Sequence, residues 1–371
     1  MKKFALIFTV LSVFFIGGCT DPANPNNNRP NTEEPSTPGG YDPITPGENP
    51  GGEDPTTPGE NPGGEDPTTP GENPGGEDPS TPGENPGGST SQTEGVPGWF
   101  EVPQINDKNL DRIWDSDASL YLAYHLCAGG EKGANGKTTR NYTVCFSATH
   151  HCPVWVAAPR HALFVGGASR TNAYQVDPDI PSDIQYNSKS TGDGCNKGHM
   201  LGSAERTSSS ATNTQVFYYT NIAPQLMSGF NTGGGGWNLL EDWVDSKVCV
   251  DTLYEVVGCY FDEYKDAYGF SCSPKKIAFG GRTDVSQPTM FYYILLRTKA
   301  GNSGKSVKDC SANELMCAAF VRTHTNSLKG QKPSSKEMMS VADLEKITGF
   351  SYFPNVPNAP KDTFNASDWG L

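Results

Sequence analysis

Long apolar runs are nearly absent from this 371-residue chain. The longest, Phe4 to Ile16, is too short to cross a bilayer comfortably, so no membrane-spanning helix is expected. Basic excess is also missing, with 28 Lys and Arg against 42 Asp and Glu for a net charge of −14. That deficit is local. Residues 20–96 hold 15 acidic residues and one basic residue, Arg29, which leaves 27 acidic against 25 basic in residues 97–371. A near-neutral body neither demands nor excludes a polyanionic partner. No two cysteines form a Cys-x2-Cys pair, which argues against a structural zinc site.

The first 18 residues carry Lys2 and Lys3, the short apolar run, and then Gly17-Gly18 before Cys19. A basic start, an apolar core and small residues before a cut describe an export signal. The Ile16-Gly17-Gly18-Cys19 end resembles a bacterial lipobox. That resemblance implies cleavage before Cys19, lipid attachment at Cys19, and an exported protein anchored to the outer membrane or cell surface.

Residues 19–96 are dominated by Pro, Gly, Asn, Thr, Glu and Asp, with large apolar residues almost missing. A twelve-residue unit begins at Thr45, repeats from Thr57 and Thr69, and starts again at Thr81. No unit has a hydrophobic face to stack, so a solenoid is excluded. The segment cannot offset its ordering entropy and reads as a disordered linker, whose ends would lie about 50 Å apart as a flexible coil.

Residues 97–371 supply enough chain for one large domain. Runs rich in β-branched and aromatic residues predict strands at Tyr142 to Ser147, Pro153 to Ala158, Gln215 to Asn221, Thr252 to Phe261, Met290 to Arg297 and Met316 to Val321. Trp237, Leu240, Trp243 and Val244 share one helical face, which predicts a helix over 237–247, and a second follows Ser340 as N-cap. Many strands with few helices indicate an α+β fold with a mixed or antiparallel central sheet and flanking helices. Nine cysteines follow Cys19, and Cys145 with Cys152, flanking a short turn, is the expected disulfide in an exported protein. His150-His151-Cys152 in that turn reads as a polar turn rather than a metal site.

The chemistry-bearing residues lie in order along the middle of the chain. Ser169-Arg170-Thr171-Asn172 is followed by Asn196-Lys197-Gly198-His199. Thr220-Asn221-Ile222-Ala223-Pro224-Gln225 comes next, then Phe230-Asn231, Trp237 and Leu240-Glu241. Any one of these, alone, would be read as structural. Their order and spacing resemble the DNA/RNA non-specific endonucleases of the ββα-metal (His-Me finger) class, over most of residues 140–356.

The resemblance implies hydrolysis of DNA and RNA phosphodiester bonds with little sequence preference. It implies His199 as general base and Asn231 as the protein ligand of Mg²⁺, for which Mn²⁺ could substitute. Glu241 would hold the metal's waters, Arg170 would neutralise phosphate charge, and Lys197 would add charge beside the base. Asn221 would position water, metal shell or substrate. Two places depart from the family pattern: Asn196-Lys197 stands where Asp-Arg is usual, and the Asn231–Trp237 spacing is two residues longer, through Gly233–Gly236. They open an alternative, a weak or inactive relative that serves as a surface nucleic-acid-binding module.

Overall fold

The structure is a computed structural model that describes residues 98–371. The signal segment, Cys19 and the repeat linker lie outside the described residues. Strands β1 (Ile113–Trp114), β2 (Asp117–Leu126), β3 (Arg140–Ser147) and β4 (Cys152–Arg160) form a meander. β5 (Cys195–His199) and β6 (Ile222–Leu226) pair with each other outside it. β7 (Leu253–Tyr260) returns beside β4. Two small hairpins follow, β8 (Tyr264–Lys265) with β9 (Ser271–Cys272) and β10 (Lys275–Phe279) with β11 (Arg282–Gln287). β12 (Met290–Thr298), β13 (Leu315–Thr323) and β14 (Met338–Met339) complete the main sheet.

The eight strands run in the order β1-β2-β3-β4-β7-β12-β13-β14, and each ladder between them is antiparallel. The expected α+β class holds, and the open choice between mixed and antiparallel pairing resolves to antiparallel. The central strands read as continuous apolar runs rather than alternating ones because both faces are covered. Every residue of β4 and β13 is buried. One face packs Val156, Val257, Phe291 and Phe320 against Met200, Phe230, Trp237 and Leu240. The other packs Trp155, Val256, Tyr292 and Val321 against Val341, Leu344, Tyr352 and Phe353.

Helix α1 (Ser210–Gln215), α2 (Gly236–Asp245) and α3 (Val341–Thr348) supply the α-helical part. The predicted helices match α2 and α3, and Ser340 caps α3 by accepting from the Asp343 amide. The strand expected over Gln215 to Asn221 does not form. That stretch holds the end of α1 and a 3₁₀ turn at Tyr219–Asn221. Buried polar side chains decide this, since Asn213 donates to the carbonyls of Ser203 and Arg206, and Asn221 donates to those of Leu201 and Val216. Their bonds replace the ladder a strand would need.

The expected Cys145–Cys152 bridge is also corrected. Cys145 lies opposite Trp155 and Cys152 opposite Ser147, and the two thiols belong to cores on opposite faces of the sheet. All nine described cysteines are unbridged. In the turn between them, His150 stacks on Phe261, and His151 ties to the Ile184 carbonyl and to Arg282.

Candidate active site

The site is built on the paired strands β5 and β6, which α1 and two short turns separate in the chain, on the turn after β6 and on α2. In the β5–β6 register Gly198 faces Ala223 and His199 faces Ile222. A five-residue π-type turn, Met227–Asn231, follows β6 and carries Asn231. Gly233 and Gly234 then adopt positive φ of 62° and 78°. A side chain at Gly235 would collide with Phe230 O, and one at Gly236 with Leu328. The lengthened glycine stretch is therefore a packed, turn-specified connection. It delivers α2 with Trp237, Leu240 and Val244 buried, and half-buried Glu241 one turn further along the Trp237 face at the edge of the cleft.

Arg170, Lys197, His199, Asn231 and Glu241 line one cleft of about 560 Å³, together with Tyr174, Asn196, Glu205, Asp242 and Asp245. A separate cavity of about 360 Å³ near Phe100 and Tyr254 contains none of the expected site residues. Asn221 does not reach the cleft. It is fully buried, its Oδ1 accepts from the Leu201 amide, and its Nδ2 donates to Leu201 O and Val216 O. Its bonding capacity is spent on fixing the backbone just after His199, so the expectation that it contacts water or substrate gives way to a scaffolding position.

His199 is wedged between two rings, with centroids 5.8 Å from Tyr174 and 4.8 Å from Phe217. Each ring also carries a cation: Arg170 sits 4.8 Å from the Phe217 centroid and Lys197 Nζ 5.1 Å from that of Tyr174. Arg170 is further held by Asn172 Oδ1 at 2.8 Å and by the Tyr174 hydroxyl at 3.3 Å. Burial first, then the Arg170 and Lys197 charges, hold the His199 pKa down to about 3. The imidazole is therefore neutral at physiological pH, and its Nε2 has no hydrogen-bond partner. A neutral ring with an unspent nitrogen, next to two fixed cations, can accept a proton beside an anion.

The opposite wall is acidic. Burial, then Asp245, push the Glu241 carboxyl up to about 8, with Asp242 adding and a Trp237 hydrogen bond and Arg160 working against it. Beneath it, Arg160 pairs with Asp245 at 2.5 Å and with Glu205 and Glu255 at 3.1 Å each. Asn231 Nδ2 donates to Gln225 Oε1, which leaves the Asn231 carbonyl oxygen unspent. An unspent amide oxygen, a carboxyl raised by burial and by Asp245, and further carboxylates around them suit a hard divalent cation. Among the described residues, the His/Cys/Asp/Glu group with metal-holding spacing is a different one, His125, Asp177 and Asp179. None of these lines the cleft. Asp177 is already occupied by His125 at 2.9 Å, the Thr220 hydroxyl at 2.5 Å and the Asp179 amide at 3.0 Å, as befits a structural tie.

Arg170, Lys197, His199, Asn231 and Glu241 thus share one cleft, and Asn221 lies outside it. Tyr174, Phe217, Glu205 and Asp245 are additions: Tyr174 and Asp245 lie four residues from Arg170 and Glu241 and are open to a local reading, whereas Phe217 and Glu205 depend on contacts between distant segments.

A family model described as DNA/RNA non-specific endonuclease matches residues 125–359. The human mitochondrial nuclease EXOG is 24% identical over 229 residues, covering 60% of this chain and 58% of that protein. A nuclease of Nostoc sp. is 25% identical over 259 residues, covering 66% of this chain and 85% of the relative. Bovine mitochondrial endonuclease G is 21% identical over 224 residues, covering 59% and 69%. A crystal structure of an EndoG/EndoGI complex aligns with a TM-score of 0.46 and 22% identity, over 58% of this chain and 84% of that one. The chain thus spans little more than half the length of human EXOG.

Proposed function

The chain belongs to the DNA/RNA non-specific endonuclease family, and on that premise we propose that it hydrolyses phosphodiester bonds of DNA and RNA with the aid of a divalent cation, Mg²⁺ in the first instance and Mn²⁺ as a substitute. The observation that carries this reading is the convergence of Arg170, Lys197, His199, Asn231 and Glu241 on one cleft, with His199 neutral and its Nε2 unspent.

His199 takes a proton from the attacking water as the water's oxygen bonds to phosphorus and the 3′-oxygen leaves. Arg170 and Lys197 offset the charge that builds on the phosphate oxygens. Both are held over rings rather than in carboxylate pairs, so their charge is available to the substrate. Asn231 Oδ1 would hold the cation and Glu241 its waters. When bound, the cation would supply Lewis-acid charge to a phosphate oxygen and to the leaving oxygen. Contacts directed at phosphate give little base discrimination.

The test is digestion of plasmid DNA and of RNA by the purified protein with Mg²⁺, with Mn²⁺ and with chelator. Cation-dependent nicking of both substrates supports the reading. Binding of nucleic acid without cleavage under every cation would replace it with the binding-module alternative. Export with a lipid anchor at Cys19 is proposed from the sequence of residues 1–19, and membrane fractionation of wild type against Cys19→Ala tests it. Release of the variant into the soluble fraction supports the anchor.

A further inference from the structure

The Asn221–Gln225 motif contains a residue that the mechanism above leaves unused. Gln225 is fully buried in β6. In the β5–β6 register it faces Asn196, which makes Gly198 its diagonal neighbour. The side chain lies across that glycine, because a Cβ built at position 198 would fall 2.1 Å from Gln225 Cδ. From this position Gln225 Oε1 accepts a hydrogen bond from Asn231 Nδ2.

That bond fixes which way the Asn231 amide faces. A primary amide offers an acceptor oxygen at one end and a donor nitrogen at the other. With the nitrogen committed to Gln225, the oxygen is left for the cleft. The reverse arrangement, Gln225 Nε2 to Asn231 Oδ1, would consume the oxygen a cation needs. Gln225 keeps the observed arrangement although its own Nε2 is buried without a partner. A buried orphan donor is unfavourable, and the bond at the other end of the amide offsets it. Asn231 itself sits at the end of the π-type turn and precedes the exposed Thr232 and Gly233, so its own segment offers little to hold the amide.

We propose that Gln225 is the positioning residue that orients the Asn231 carbonyl oxygen toward a divalent cation, and that Gly198 is glycine because only an absent side chain leaves room for Gln225 to do so. The inference rests on the reading of Asn231 as a cation ligand.

The test is Mn²⁺ binding to the full-length protein without substrate, read by calorimetry or by the paramagnetic resonance signal of free Mn²⁺. Loss of an outer partner of a metal ligand typically costs 10- to 100-fold in metal affinity, so Gln225→Met is expected to weaken Mn²⁺ binding by about that factor. Gln225→Glu keeps an acceptor oxygen and is expected to bind close to wild type. Gly198→Ala displaces Gln225 and is expected to weaken binding alone, but to add little on top of Gln225→Met, since the two changes act on one contact. Wild-type affinity in Gln225→Met, with binding lost in Asn231→Ala, overturns the inference and leaves Asn231 as ligand. Full binding in Asn231→Ala overturns both. If Gln225→Met melts before binding can be read, Gly198→Ala in the wild-type and Gln225→Glu proteins decides: unchanged affinity in both overturns the inference, and weakened affinity in both supports it.

Discussion

The two faces of the main sheet each bury an apolar cluster and differ in how charge is arranged beside it. The face under α3 carries neutral internal contacts, such as Tyr292 to Tyr352 at 3.0 Å and Thr348 to Tyr352 at 2.9 Å, and keeps its ion pairs, Arg140–Glu101 and Lys361–Glu345, one carboxylate to one cation. The face under the cleft gathers several carboxylates around one buried cation. Arg160 faces Glu205, Glu255 and Asp245, and Arg322 faces Glu337 at 2.7 Å as well as the Gly236 carbonyl at the start of α2. A buried ion pair rarely stabilises more than the apolar residues that could replace it, so these charges are poorly explained as stabilisers of the fold. They do explain how a cleft can keep Glu241, Asp242 and Asp245 together. The difference teaches that the face under the cleft concentrates unbalanced carboxylates, which is what a site for reactive groups requires.

Four changes would break or sharpen that contrast. His199→Ala should lower phosphodiester turnover by about 10²- to 10⁴-fold, the usual worth of a general base, with little change in unfolding midpoint. Near-wild-type turnover in a gel-based plasmid assay would remove His199 from the mechanism.

Arg160→Met should cost about 3–5 kcal/mol of stability, because it strands Glu205 and Glu255 as buried carboxyls without their cation. Chemical denaturation at neutral pH measures it, and a loss below about 1 kcal/mol would mean the network is already relieved by protonation.

On the other face, Leu344→Ala should cost about 2–4 kcal/mol through the cavity it leaves against the sheet. The folded fraction should keep wild-type turnover and Mn²⁺ affinity. A matching fall in Mn²⁺ affinity would show that the two faces are coupled.

The smallest expected effect concerns pH. The Glu241 carboxyl titrates at about 8 in the cation-free protein. Below that value a cation must displace its proton, so affinity should rise by up to about tenfold per pH unit until about pH 8 and then level. The same raised pKa means that Glu241 costs the cation-free fold stability as pH climbs from its ordinary value toward 8. Mn²⁺ titrations from pH 6 to 9 test this, and an equally steep profile in Glu241→Gln would assign the dependence elsewhere.

Much of this was legible from the residues. Period-3.6 spacing located α2, and Ser340 marked the start of α3 as its cap. The resemblance to the DNA/RNA non-specific endonucleases picked out Arg170, Lys197, His199, Asn231 and Glu241, and the cleft gathers all five. The failures share a cause. Gln215 to Asn221 is rich in strand formers, yet its polar side chains bond to distant carbonyls and bend it into turns. Asn221 carries the chemistry of a site residue, yet both ends of its amide are spent on Leu201 and Val216. Cys145 and Cys152 are near in sequence, yet a bulge between strands sets their thiols on opposite faces.

By itself the sequence determined that the chain has a signal-like start, a repeat segment unable to bury apolar surface, and an α+β body bearing an ordered nuclease motif set. The first two are properties of composition and periodicity, and the motif set is a resemblance to the DNA/RNA non-specific endonucleases. Only the tertiary structure decided that Tyr174 and Phe217 hold two cations against His199, that Arg160 underlies the acidic wall, and that Gly198 makes room for Gln225 beside Asn231. Each depends on side chains meeting across tens to a hundred residues, where distance in space is set by sheet register and packing.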